Sequence, residues 1–149
     1  MINIFRITFL LSLIFTIDEG LLYDLNFRGY NAGESMLSIK KDSIDIESNY
    51  YLTSIIKTNK FLDRFYKIRD RVDVILNDED FSIIKVEKKL NQGGKKTNFT
   101  SIIDQENLTA SSNNKTISIP GRVFDPLGAI YYLRNQNIVV GDTFELTTY

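Results

Sequence analysis

The side chains that could do chemistry in this chain are restricted in kind. It contains no Cys and no His, which removes thiolate nucleophiles, imidazole acid–base catalysis, disulfides and Cys/His zinc centres together. Carboxylates, ammonium and guanidinium groups and phenols remain. Their most suggestive concentration is FDPLGAIYYLRNQ, Phe124 to Gln136, which brings Asp125, Tyr131, Tyr132 and Arg134 close together along the chain. If Tyr132 and Arg134 face a groove, ring stacking and charge-assisted hydrogen bonds could hold a glycan or a lipid head group there. The structural account of the same residues is a helix cap at Asp125, a cation at a helix C-terminus and two core aromatics. A further candidate is Asp70, which falls on the apolar parity of YKIRDRVDVIL beside Tyr66, Ile68, Val72, Val74 and Leu76. A carboxylate on that face needs a charge partner or hydrogen bonds, because burying it bare is costly. A hydrogen-bonding role for Asp70 therefore outweighs a catalytic one, and a hydrolase built on Asp70 with Asp125 ranks a distant third among the functional readings.

Other chemistry lacks its motifs. No Gly-rich phosphate loop, nucleophile elbow or metal-ligand cluster is present. NQGGKK has glycines and lysines without P-loop spacing and reads as a hairpin, while the acidic NDED lacks the spaced oxygen ligands of a calcium loop and reads as a solvated turn. Three Asn-x-Ser/Thr sequons begin at Asn98, Asn107 and Asn114, a pattern that Asn-rich turns generate by chance. No cofactor, no metal and no catalytic residue is expected. A formal net charge of −1 gives no electrostatic reason to expect nucleic acid as a partner.

The elements that must position these residues are mostly strands. At 149 residues, with 43% hydrophobic and 25% charged side chains, the chain suits one domain with a real core. Leu21, Tyr23, Leu25 and Phe27 alternate with polar neighbours, GYNAG offers a turn, and ESMLSIK resumes as a second strand. Ile44, Ile46, Tyr50, Leu52 and Ile56 share a parity that Ser48 and Ser54 interrupt, which suggests two strands or one bent strand. NKFLDRF looks briefly helical. FSIIKVEKKL, TNFTSII, LTASS and TISIP follow as strands, with turns about every 8 to 12 residues, the rhythm of an antiparallel meander or barrel. One helix interrupts it, over about 126–135. Asp125 caps it, Pro126 stands at its first position, and Leu127, Ile130, Tyr131 and Arg134 form its stripe. So short a helix must pack on the sheet to persist. NIVVGDTFELTTY then reads as an apolar triplet, a Gly141-Asp142 turn and a strand with Phe144 and Leu146 on one face. The expected fold is mainly β: an antiparallel meander forming a barrel-like or half-barrel sheet, with one helix packed across it.

The first seventeen residues, MINIFRITFLLSLIFTI, place Arg6 ahead of an apolar run from Ile7 to Ile17. That run is too short to span a bilayer, which takes about 20 residues, and fits a secretory signal or an uncleaved anchor. The β-rich domain is expected over 21–149.

The succession FLDRFYKIRDRVDVIL, FSIIKVEKKLNQGGKKTNFTSIID and FDPLGAIYYLRNQNIVVGDTFEL resembles the exported bacterial β proteins of the domain of unknown function 3108 family, over roughly Tyr23 to Tyr149. The most specific element is the segment from Asp125 to Arg134 followed by Gly141-Asp142. The resemblance implies a periplasmic or cell-envelope location and no particular reaction. Similar proteins continue with further strands where this chain stops at Tyr149, so a shortened member or a fragment with an incomplete barrel is expected, and a bare terminal strand would expose an unpaired edge. The leading functional expectation is a non-catalytic envelope module that binds an apolar or amphiphilic ligand, such as an envelope lipid or glycan, in the concavity between helix and sheet. The alternative is an interaction module that pairs with an envelope protein through its sheet edge. Membrane contact is expected only through the N-terminal segment, where that segment stays uncleaved.

Overall fold

The computed structural model describes residues 18–42 and 48–149; the apolar stretch 1–17, and Ile44 and Ile46 of the expected third strand, lie outside them. The alternating sequence folds into β1 (Glu19–Phe27), β2 (Tyr30–Asp42), β3 (Asn49–Thr58), β4 (Arg69–Asn77), β5 (Ile83–Gln92), β6 (Lys95–Asp104), β7 (Thr109–Ser112) and β8 (Lys115–Ser118). Each strand pairs antiparallel with the one before it, in the order β1 to β8. β1 and β8 do not meet, so the sheet is an open half-barrel. The third strand is continuous through Ser54, which takes its place between Leu37 and Val72 in the register.

Tight turns fix that register. Arg28-Gly29, Gly93-Gly94 and Asn113-Asn114 each link two strands with both central residues at positive φ, the conformation that matches the right-handed twist of a hairpin. The first of these turns takes only the opening Gly29 of GYNAG, and Tyr30 to Gly33 belong to β2. Gly33 is needed for close approach instead: a Cβ there would lie 2.2 Å from the Lys57 carbonyl oxygen. A bulge between Leu25 and Asn26 breaks the expected alternation before Phe27, which is exposed.

The inner face of the sheet carries the core. Ile39, Leu52, Val74 and Val86 sit in one cross-strand row and are fully buried. Over them passes the segment formed by β9 (Val123–Phe124), α1 (Pro126–Arg134) and β10 (Thr147–Thr148). The expected strand after Gly141 shrinks to β10, a two-residue parallel pairing with β9. The chain bends at Gly141, where φ is 104°, and the Asp142 N–H and carboxylate close a turn on Val139. Phe144 is therefore exposed. Likewise NKFLDRF forms only a 3-10 turn at Leu62–Arg64.

The helix lies on Leu76, and its face differs from the expected stripe. Gly128, Ala129 and Tyr131 are buried, whereas Ile130 is 52% exposed. A Cβ at Gly128 would lie 2.9 Å from Leu76 Cδ2, so the missing side chain lets the helix backbone close on β4 at that position. That contact turns Ile130 outward. Phe81 completes the seam at a φ of 57°, an unfavourable conformation for an aromatic residue. It is held by stacking on Tyr50 at 4.7 Å and on Tyr131 at 6.5 Å between ring centroids.

Candidate ligand-binding face

The Asp-Pro start acts as a cap. The Asp125 carboxylate accepts from Leu127 N at 2.9 Å and from Gly128 N at 3.4 Å, with Pro126 at the first helical position, where its missing N–H leaves no bond unmade. Asp125 is 4% exposed. It faces the helix backbone rather than a cleft.

The two tyrosines and the arginine that follow are drawn into packing. Tyr132 lies against Phe124 at 5.1 Å, and Tyr131 is buried between Phe81 and the Arg134 guanidinium, which sits 5.2 Å from its ring centroid. Arg134 also reaches Glu19 Oε2 on β1 at 2.7 Å. That hydrogen bond is the main cause holding the Glu19 carboxyl below the usual carboxylate range. The Tyr131 hydroxyl is buried with no hydrogen bond of acceptable geometry among the described residues. Burial first, then the neighbouring Glu19 anion, push its ionisation up to about 12. The structure brings Tyr131, Tyr132 and Arg134 together as a latch between helix and sheet.

Asp70 sits elsewhere. It lies on the inner face, where the β4–β5 ladder lapses between Arg71 and Ile68, and it accepts the Asn91 N–H at 2.9 Å and the Gln92 side-chain amide. Its carboxylate thus completes a strand pairing. Leu76, the β4 residue under α1, is six residues further along the strand, or about 20 Å at ordinary strand rise. Asp70 and the cap Asp125 are therefore at opposite ends of the inner face, each occupied with backbone N–H groups.

The same inner face changes character along its length. The row next to the buried one runs Leu21, Leu37, Ser54, Val72, Lys88, Phe99 across six strands, and all of these are half-buried. Beyond it come Tyr23, Ser35, Ile56 and Asp70, with Tyr23 exposed. α1 covers one end of the trough; the other end mixes half-buried Leu21, Leu37, Val72 and Phe99 with Ser54, Lys88 and Asp70. Lys88 stands within it, its ammonium 5.9 Å from the Phe99 ring centroid. No sequence motif marks this trough. Its signal in the sequence is the alternation Val86, Lys88, Leu90, a cation on an apolar parity. The outer face is polar by contrast. Arg71 pairs with Asp73, Thr53 donates to Asp73, and Lys85 pairs with Glu87. Among the described residues, no group of three or more acidic side chains could hold a metal ion.

A family model described as a protein of unknown function, DUF3108, matches residues 22–149. No curated protein and no solved structure matches the chain.

Proposed function

The chain belongs to the DUF3108 family, and from that premise we propose that it is a non-catalytic binding module of the cell envelope that takes an apolar or amphiphilic ligand on its inner sheet face. One observation carries this reading: past the end that α1 covers, the inner face keeps half-buried apolar side chains, Leu21, Leu37, Val72 and Phe99, with Ser54 and Lys88 set among them. Ligand pockets of this kind are concave, mostly apolar and marked by a few placed polar groups. Leu37, Val72 and Phe99 would receive an alkyl chain, and Lys88 would meet an anionic head group beside Phe99. Export through the first seventeen residues would deliver the protein to where such amphiphiles are abundant.

The test is a native mass spectrum of the protein purified from a bacterial envelope fraction, compared with Val72→Glu. A lipid-sized mass on the native chain, missing from the variant, is expected. A bare native chain would end this reading.

The free edge of β1 favours a second reading, an interaction module. β1 is nine residues long, its Leu22 is 71% exposed, and β2 is its one strand partner among the described residues. Such an edge is a template for strand addition. A bare but dimeric species in the same spectrum, abolished by Leu22→Pro, would support it.

A further inference from the structure

In this meander the turns β1–β2, β3–β4, β5–β6 and β7–β8 emerge at one end of the sheet, away from α1. Three of them are tied together. Asn59 donates from its backbone N to the Ala32 carbonyl at 3.0 Å and from its side chain to the Asn31 carbonyl. Gly93 N donates to the Lys67 carbonyl at 2.9 Å, and Tyr66 lies so close over Gly93 that a Cβ there would clash with its ring. Asp63 locks the β3–β4 connection internally, bonded to Arg69 at 2.6 Å and to Thr58 at 2.6 Å.

On this braced platform the large rings point outward. Phe27, Tyr30, Phe61, Phe65 and Tyr66 are between 52% and 77% exposed. Phe27 and Tyr30 form an apolar cleft with Phe61 and Leu62, and Phe61 and Phe65 meet edge-on at 5.7 Å. Around them stand Arg28, Lys60, Arg64, Lys67, Lys95 and Lys96, all exposed and none in an ion pair among the described residues. Asp63 is the one acidic residue in these turns, and Arg69 already holds it. The opposite end carries Asp78, Glu79, Asp80, Asp104 and Glu106 in its turns. A net charge of −1 therefore conceals two ends of opposite sign.

We propose that the basic, aromatic end docks on an anionic lipid surface. Exposed Tyr and Phe rings settle at the head-group level of a bilayer, and lysine and arginine beside them are attracted to anionic lipids. Rings on convex turn tips suit shallow insertion, whereas single-stranded nucleic acid would require a groove along which bases stack in succession. No described helix is long and apolar enough to cross a membrane, and the attachment proposed is a peripheral one. Docking would also turn the open end of the inner trough toward the lipid, but the inference stands on the turns alone and does not depend on a ligand in the trough.

The chain has no Trp, so Phe65→Trp gives a reporter of this end and Tyr51→Trp one of the outer sheet face. Both are mixed, as full chains, with phosphatidylglycerol-containing vesicles and with pure phosphatidylcholine vesicles. The Phe65→Trp emission is expected to shift to the blue and to be quenched by brominated acyl chains on the anionic vesicles only, with Tyr51→Trp unchanged. Adding Arg64→Glu and Lys67→Glu should weaken partitioning about ten-fold or more, and raising salt from about 0.05 M to 0.5 M should do the same to the parent. If the charge-reversed chain fails to fold, the salt series decides. An unshifted Phe65→Trp reporter, an equal shift on neutral vesicles, or tighter binding to a single-stranded oligonucleotide or an acidic peptide would each overturn the proposal. Binding through residues 1–17 alone would leave the reporter unshifted. Val72→Glu should dock normally even where it loses a trough ligand, which separates this inference from the preceding one.

Discussion

Arg134, at the C-terminal end of α1, and Glu19, at the start of β1, are joined at 2.7 Å across 115 residues of sequence. The guanidinium that reaches the carboxylate also covers the Tyr131 ring. Helix, first strand and core aromatic are thereby tied at one point.

Arg134→Gln is accordingly expected to lower the melting temperature only slightly, because an exposed ion pair is weak. It should leave any mass that co-purifies with the chain in place. Loss of that mass with the fold intact would move the binding site from the sheet to the helix end.

Asp125→Ala should destabilise the protein by about 1–2 kcal/mol, since the Leu127 and Gly128 N–H groups lose a buried acceptor. Asp125→Asn, which keeps an oxygen at the cap, should recover most of this. Urea unfolding midpoints of the three chains measure the difference, and equal midpoints would remove the capping account.

Tyr131→Phe should be neutral or slightly stabilising. The hydroxyl is buried without a partner among the described residues, and an unmet polar group opposes folding. A loss above about 1 kcal/mol would mean that the hydroxyl bonds to Glu19 in solution.

Gly33→Ala should cost more than Gly128→Ala. The first forces a methyl against the Lys57 backbone, whereas the second meets the tip of the Leu76 side chain, which can shift. Their thermal midpoints should rank in that order, and the reverse ranking would contradict the β2–β3 packing.

Stability should be flat through neutral pH, because no histidine titrates there. Asp63 is held below the ordinary 3.8 chiefly by Arg69, Asp78 chiefly by Ser48, and Glu19 below 4.5 chiefly by Arg134. At Asp73 burial pulls upward, but hydrogen bonds from Arg71 and Thr53 outweigh it. Folded values below the unfolded ones mean that this stabilisation is complete above the ordinary values and is lost as pH falls through the depressed ones. Tyr131 acts at the other limit. Its folded value of about 12 lies above the ordinary 10.0, so stability should decline from pH 10 upward, less so in Tyr131→Phe. Denaturant midpoints across the pH range would reveal both limbs; an acid limb that begins above pH 5 would contradict the depressed carboxylates.

Much of this architecture is legible in the residues themselves. Period-two alternation marks the strands because side chains of a half-buried sheet must point to opposite faces. Asp125-Pro126 marks the helix start because capping is a local interaction. The tethered roles of Tyr131 and Arg134 are less legible, because Glu19 and Phe81, which decide them, are distant in sequence. The docking end is hidden for the same reason. Its rings and cations are scattered over separate turns, each unremarkable in its own segment, and near-neutral net charge masks their convergence. Membrane contact expected of the first seventeen residues alone thus gains a second candidate.

The sequence by itself determined the mainly β class, the antiparallel connectivity, the position of the helix and the family, since all of these follow from short-range pattern and turn chemistry. Tertiary structure decided which helix face is buried, where the inner face is left open and which charges gather at each end. Those outcomes depend on register and on the closeness of approach at Gly33 and Gly128, where the absence of a single Cβ sets how two distant segments meet.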